Sequence, residues 1–142
     1  MQPRDDADYR IALVEQSLKA AKDNFAIKGW PTCIDHCQQA IENAAKAVLA
    51  TFGPHPPTHG PGTLLEGRIQ RGQFPDIVVP LVKRLAALSH EYGLDIHMRV
   101  RYGDETNRIL PSELFNEQSA RDALAAAEEA LRLAGKLLEA LP

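Results

Sequence analysis

From Ala120 onward the chain repeats apolar residues at intervals of four and three: Ala120, Leu124, Ala127, Leu131, Ala134, Leu138 and Leu141. An α-helix turns once in about 3.6 residues, so this spacing lines one face of a helix, whereas a strand would scatter it over both sides. The other positions hold Arg121, Asp122, Glu128, Glu129, Arg132, Lys136 and Glu139, a solvated back on which Glu128 can pair with Arg132 one turn on. Such a helix, starting after Pro111 with Ser112 or Asn116 as its cap, has to bury its stripe against other helices. The alanines let a neighbour come close.

Partners for that stripe lie upstream. Residues 8–28 carry Ile11, Val14, Leu18, Ala21 and Phe25 at helical spacing, with Asp5, Asp6 and Asp8 at the N-terminal end and Gly29 as a stop. Thr32 with Asp35 has the spacing of an N-terminal cap, and Ile34, Cys37, Ile41, Ala44 and Val48 continue the pattern to Gly53-Pro54. The loop GPHPPTHGPG cannot be helical, because its prolines remove backbone donors. A weak helical piece, Thr63 to Gln70, shows capping-box spacing at Thr63 and Glu66. A third long helix starts at Asp76 or Val79, tolerates Pro80 in its first turn, points Leu81, Leu85 and Leu88 inward and ends near Gly93.

Leu94 to Tyr102 breaks the rule. Leu94, Ile96, Met98, Val100 and Tyr102 alternate with Asp95, His97, Arg99 and Arg101, a period of two that reads as a strand. A lone strand is not a stable unit, so the segment is expected to be an extended or irregular crossing or a short hairpin arm, a dimerisation element if another copy supplies the partner, with a helix extension left open. The fold expected is all-α: one domain spanning residues 1–142, an antiparallel up-and-down four-helix bundle with an irregular or extended segment between helices three and four.

A formal net charge of -3 gives no global attraction to a polyanion, so any nucleic-acid contact has to come from a local patch. No apolar run approaches bilayer length, and the start MQPRDDADYR lacks the apolar core of a secretory signal, so the expected location is cytoplasmic, with no membrane partner. Cys33 and Cys37, the only cysteines, stand one helical turn apart, poor geometry for a disulfide. With His36 they make too few ligands for a closed zinc site, and neither metal nor cofactor is expected.

Three motifs carry a resemblance. The run Gln38-Gln39-Ala40-Ile41-Glu42-Asn43-Ala44-Ala45-Lys46-Ala47-Val48-Leu49, the loop Pro57-Thr58-His59 and the later Arg101-Tyr102 resemble the HEPN family of small helical domains, which often show a QQAAEKALKALL-type helix, a PPxTHDL-like loop and an ARYPD-like turn. Here Gly60-Pro61-Gly62 follows the histidine, and Gly103 stands where the turn has proline. The resemblance implies association with nucleotides, RNA or a small nucleotidyltransferase partner. It also implies, for many members, a metal-independent ribonuclease whose arginine and histidine lie near the start of the last helix, often from two subunits.

At that place the chain reads RYGDETNR and has no histidine. The expected function is therefore a non-enzymatic binding or accessory module in a chain expected to form a homodimer; the alternatives are a dimeric, metal-independent ribonuclease of toxin type and a purely structural homodimer. Arg84 and His90 repeat an arginine-to-histidine spacing but lie inside the third helix, about 120° apart around its axis, and are the only catalytic candidates. For phosphate contact the candidates are His97, Arg99, Arg101, Tyr102 and Arg108, with Lys83 and Arg84 as further cations, since arginine forks onto phosphate and tyrosine stacks on bases. The competing structural reading pairs Arg101 with Asp104 or Glu105. His59 is either a ligand contact or a residue that, with Thr58, fixes the loop through nearby backbone.

Overall fold

The structure, a computed structural model, describes residues 3–142. Among them are seven α-helices: α1 (Pro3–Ala26), α2 (Trp30–Ala50), α3 (Pro61–Gln70), α4 (Val79–Glu91), α5 (Leu94–Tyr102), α6 (Pro111–Leu114) and α7 (Glu117–Ala140), with a 3-10 turn at Asp76–Val78 leading into α4. The weak helical piece expected at Thr63 to Gln70 is α3, whereas α5 and α6 were not expected as helices, since they turn too few times to display a periodicity.

Helix α2 is the hub. It packs most extensively on α1 and α7 and also touches α3, α4, α5 and α6, which is why 12 of its 21 residues are buried. Ala40, Ala44, Ala45 and Ala47 are fully buried on α2, and α7, which packs on α2, has a buried line that includes Ala120, Ala123, Ala127, Ala130 and Ala134. Small side chains on both surfaces permit a close interaxial approach. Leu124 and Leu131, read from sequence as stripe residues, sit half-buried at the margin, while Ala123, Ala130 and Leu137 run through the centre. The buried face of α7 is wide because it serves α1, α2 and α4 together.

Helix ends followed local chemistry only in part. Asn116 caps α7 in a reciprocal capping box with Ser119. The Thr32–Asp35 cap does not form: α2 begins at Trp30 with Pro31 in its first turn and no side-chain cap. Nor does the Thr63–Glu66 box, because Pro61 starts α3 earlier and Glu66 bonds elsewhere. Gly62 lets α3 lie against α4, since a Cβ there would come 2.9 Å from the Ala86 carbonyl oxygen.

Leu94 to Tyr102 is helical, which overturns the strand reading and the extended crossing. Without a partner strand the backbone groups are satisfied within a helix, with Asp95 in the first turn and Arg99 and Arg101 in the last, as the helix dipole favours. Ile96 and Val100 turn inward. The polar alternation, one row in a strand, splits into two i,i+4 pairs: His97 with Arg101, and Asp95 with Arg99.

Candidate functional site

The polar residues Asp35, Gln39, Glu42 and Lys46 recur at intervals of four, three and four along α2, so they form a stripe on an otherwise apolar helix. Lys46 Nζ lies 3.3 Å from Glu42 Oε2, and Gln39 Nε2 donates to Asp35 Oδ2 at 3.5 Å. Both carboxylates are mostly covered.

Two other segments converge on this row. From the proline-held loop, His59 Nδ1 reaches Glu42 Oε1 at 3.0 Å; from α5, His97 Nδ1 lies 3.7 Å from Asp35 Oδ1 and an Arg101 terminal nitrogen 3.8 Å from Asp35 Oδ2. The rings of His59 and His97 stack, with centroids 5.7 Å apart and planes 16° from parallel. Asp35 Oδ1 is buried and makes no hydrogen bond, while Oδ2 of the same carboxylate accepts from Gln39. Each imidazole turns one nitrogen to a carboxylate, which leaves Nε2 on the far edge of the ring. His59 and Arg101 are well exposed and His97 is covered. Two imidazoles and a guanidinium thus stand together, equipped to hold a phosphate or exchange protons with a bound group.

Arg101 therefore pairs with Asp35, and the expected pairing with Asp104 or Glu105 is replaced. Asp104 turns into its own loop: it accepts from the Asn107 backbone at 3.0 Å and side-chain amide at 2.9 Å, and exchanges two backbone hydrogen bonds with Ile109. These bonds from Asn107 hold the Asp104 carboxyl below its usual range, with Arg99 adding a further lowering. At the head of the turn Gly103 has φ 70°, out of reach for the proline of the related turn. Arg108 also has positive φ, at 56°. Tyr102 is exposed, and neither Arg99 nor Arg108 forms a salt bridge with a described residue.

Arg84 and His90 face different partners. Arg84 forks onto Glu129 of α7 at 2.7 and 2.9 Å, which raises the guanidinium pKa and lowers that of the carboxyl. His90 Nε2 pairs with Glu66 of α3. His90 also borders two clefts, one of 530 Å³ with Lys83, Glu66 and Ile69, the other of 400 Å³ with His59, Gly60, Ser89 and Leu94. Thr58 fixes the loop as expected, its hydroxyl accepting from Gly60 N at 2.8 Å, whereas His59 binds a side chain of α2 in place of backbone.

Cys33 and Cys37 are fully buried. The Cys37 thiol is pushed up by its hydrogen bond to Cys33 and by burial, which keeps it protonated and unreactive. Among the described residues no group of three or more His, Cys, Asp or Glu is placed to hold a metal ion, and no helix is long and apolar enough to cross a membrane.

The HEPN domain model matches residues 9–138. The chain belongs to the HEPN family. This HEPN domain is also similar in fold to the crystal structure of TT1696 from Thermus thermophilus, with a TM-score of 0.70 and 19% identity over 96% of this chain and 99% of that one. No curated protein matches it. The HEPN match runs through α1, α2 and most of α7, so it includes every residue of the His59, His97 and Arg101 cluster. The anchors Asp35 and Glu42 escaped sequence reading. Their signal was the polar stripe on α2, visible once Asp35 is no longer spent on a cap.

Proposed function

We propose that this HEPN domain is a non-enzymatic binding module for a phosphate-bearing ligand, a nucleotide or RNA, acting beside a partner such as a nucleotidyltransferase. The reading takes α1, α2, α4 and α7 as an antiparallel frame and α5 with the two loops as the ligand-facing part. Its main support is the gathering of His59, His97 and Arg101 onto the Asp35/Glu42 row, which sets a guanidinium and two imidazoles side by side. The exposed ring of Tyr102, next to Arg101 in sequence, is a further contact candidate, while Arg99 stands about 160° from Arg101 around α5 and belongs to another flank. The non-enzymatic part is supported by Arg84 and His90, each engaged by its own carboxylate on a different helix.

A metal-independent ribonuclease is the second reading, and the stacked pair favours it. Two imidazoles beside an arginine are the groups that acid–base cleavage of RNA needs.

The test is RNA incubated with the protein in excess chelator, comparing wild type with Arg101→Ala, His59→Ala and His90→Ala. Saturable binding without cleavage, weakened by salt and roughly tenfold by Arg101→Ala, supports the module. Chelator-resistant cleavage lost in a histidine variant supports the ribonuclease. Absence of both binding and cleavage removes both readings.

A further inference from the structure

Helices α3 and α4 leave a cleft of 530 Å³ between them, lined by Glu66, Ile69 and Gln70 of α3 and by Lys83, Ala87 and His90 of α4. The spacing of these residues explains the lining. Positions 83, 87 and 90 lie within about 60° of one another around α4, and positions 66, 69 and 70 within about 100° around α3, so each helix presents one face. Ala87, exposed between the longer side chains of Lys83 and His90, leaves the gap. Near its start α3 is drawn against α4, where the Gly62 amide donates to Ser89 Oγ at 3.2 Å. The hollow is thus held open by the fold, and its volume is that of a small-molecule site. His59, His97 and Arg101 line none of it.

The polar groups of the cleft are not equivalent. His90 holds Glu66, whereas Lys83 forms no salt bridge with a described residue, in contrast to Lys19, Lys22 and Lys46. Gln70, on the facing helix, is exposed and adds an amide donor. The charge left free for a ligand is therefore one cation, beside the apolar surface of Ile69 and Ala87.

We propose that the cleft between α3 and α4 binds a small organic monocarboxylate with an apolar body, its carboxylate on Lys83 and Gln70 and its body along Ile69 and Ala87 towards the His90 ring. Charge selects this class. A carboxylate brings one negative charge, which Lys83 matches; the second charge of a phosphate monoester finds no further cation there and faces Glu66. Lysine is a point charge without the fork by which arginine favours phosphate. The body has about 10 Å of α4 to lie along, from Lys83 to His90. At that end the imidazole offers its apolar body while Nε2 is turned to Glu66.

The probe is sodium octanoate, titrated into isotope-labelled protein at about pH 8, where a phosphate monoester carries two charges. Octanol serves as the neutral counterpart and octyl phosphate as the dianionic one, all followed in amide correlation spectra. With octanoate, shifts are expected to gather at residues 66–70 and 83–90 and to give a dissociation constant below about 1 mM. Octanol and octyl phosphate are each expected to bind at least about fivefold more weakly. Lys83→Met keeps an apolar stem and removes the charge, so it should weaken octanoate about tenfold and leave octanol unchanged. Ala87→Leu fills the gap from an exposed position and should abolish the binding of both. Circular dichroism checks that the two variants fold. Shifts gathered elsewhere, or none that saturate by about 10 mM, overturn the inference. So does octanoate binding indifferent to either variant, or matched by octanol or octyl phosphate. RNA plays no part in these readouts, so failure here is separate from failure of the proposed module.

Discussion

The imidazole rings of His59 and His97 lie face to face, 5.7 Å between centroids, although one comes from the proline-rich loop and the other from α5. The contact ties both segments to α2 through Glu42 and Asp35. The loop is otherwise fixed mainly by its own prolines and by the Thr58 hydroxyl. Replacing His59 by alanine is expected to cost about 0.5–1 kcal/mol in urea unfolding, the range of a partly exposed pair plus a ring contact. The same change should speed hydrogen exchange of amides in residues 53–60. Unaltered exchange in that loop argues that the prolines alone hold it.

Gly103 should tolerate no replacement. Its φ of 70° and ψ of -151° belong to a region almost reserved for glycine, and a Cβ would meet the Ile109 carbonyl oxygen at 2.0 Å. Proline would in addition remove the amide that donates to Arg99 O at 2.9 Å. Gly103→Pro, which restores the residue of the related turn, is expected to destabilise the protein by at least about 3 kcal/mol in chemical denaturation. A wild-type midpoint for Gly103→Pro is the result that contradicts this.

The turn that follows is expected to loosen in acid. Asn107 holds the Asp104 carboxyl below its ordinary 3.8 in the folded chain, so this stabilisation is present above that value and is lost as pH falls through the folded pKa. Carboxyl NMR titration should show Asp104 moving up toward 3.8 in Asn107→Ala. An identical titration in both proteins rules out Asn107 as the cause.

Tyr92 marks the opposite limit of pH. Burial first, then the nearby carboxylates Glu91 and Asp122, push its phenol up to about 12. The folded state therefore resists ionising a group that the unfolded chain ionises near 10, and stability should decline as pH climbs from about 10 towards 12. Phenolate absorbance should contain a late step that Tyr92→Phe removes; a late step surviving in that variant assigns it to another tyrosine.

Much of the frame was readable from the chain. Apolar spacing located α1, α2, α4 and α7, because burying a face imposes a period that a dozen residues or more display clearly. The Asn116 cap was legible for a related reason, since both partners lie within one turn. Short segments failed the same test. In α5, nine residues alternate apolar and polar, and only the absence of a partner strand, together with packing of Ile96 and Val100 on the core, selects the helix.

Of the site, sequence supplied the names His59, His97 and Arg101 without their relationship, and it read Asp35 as a helix cap. What the sequence alone determined was the helical class, the core stripes and the family, all of which rest on patterns between near neighbours or on contiguous motifs. Tertiary structure alone decided the pairings: Arg84 with Glu129, His59 with Glu42, His97 and Arg101 with Asp35. Attraction between opposite charges depends on distance in space and not along the chain, so an arginine has many eligible carboxylates until the packing of α2 against its neighbours leaves it one.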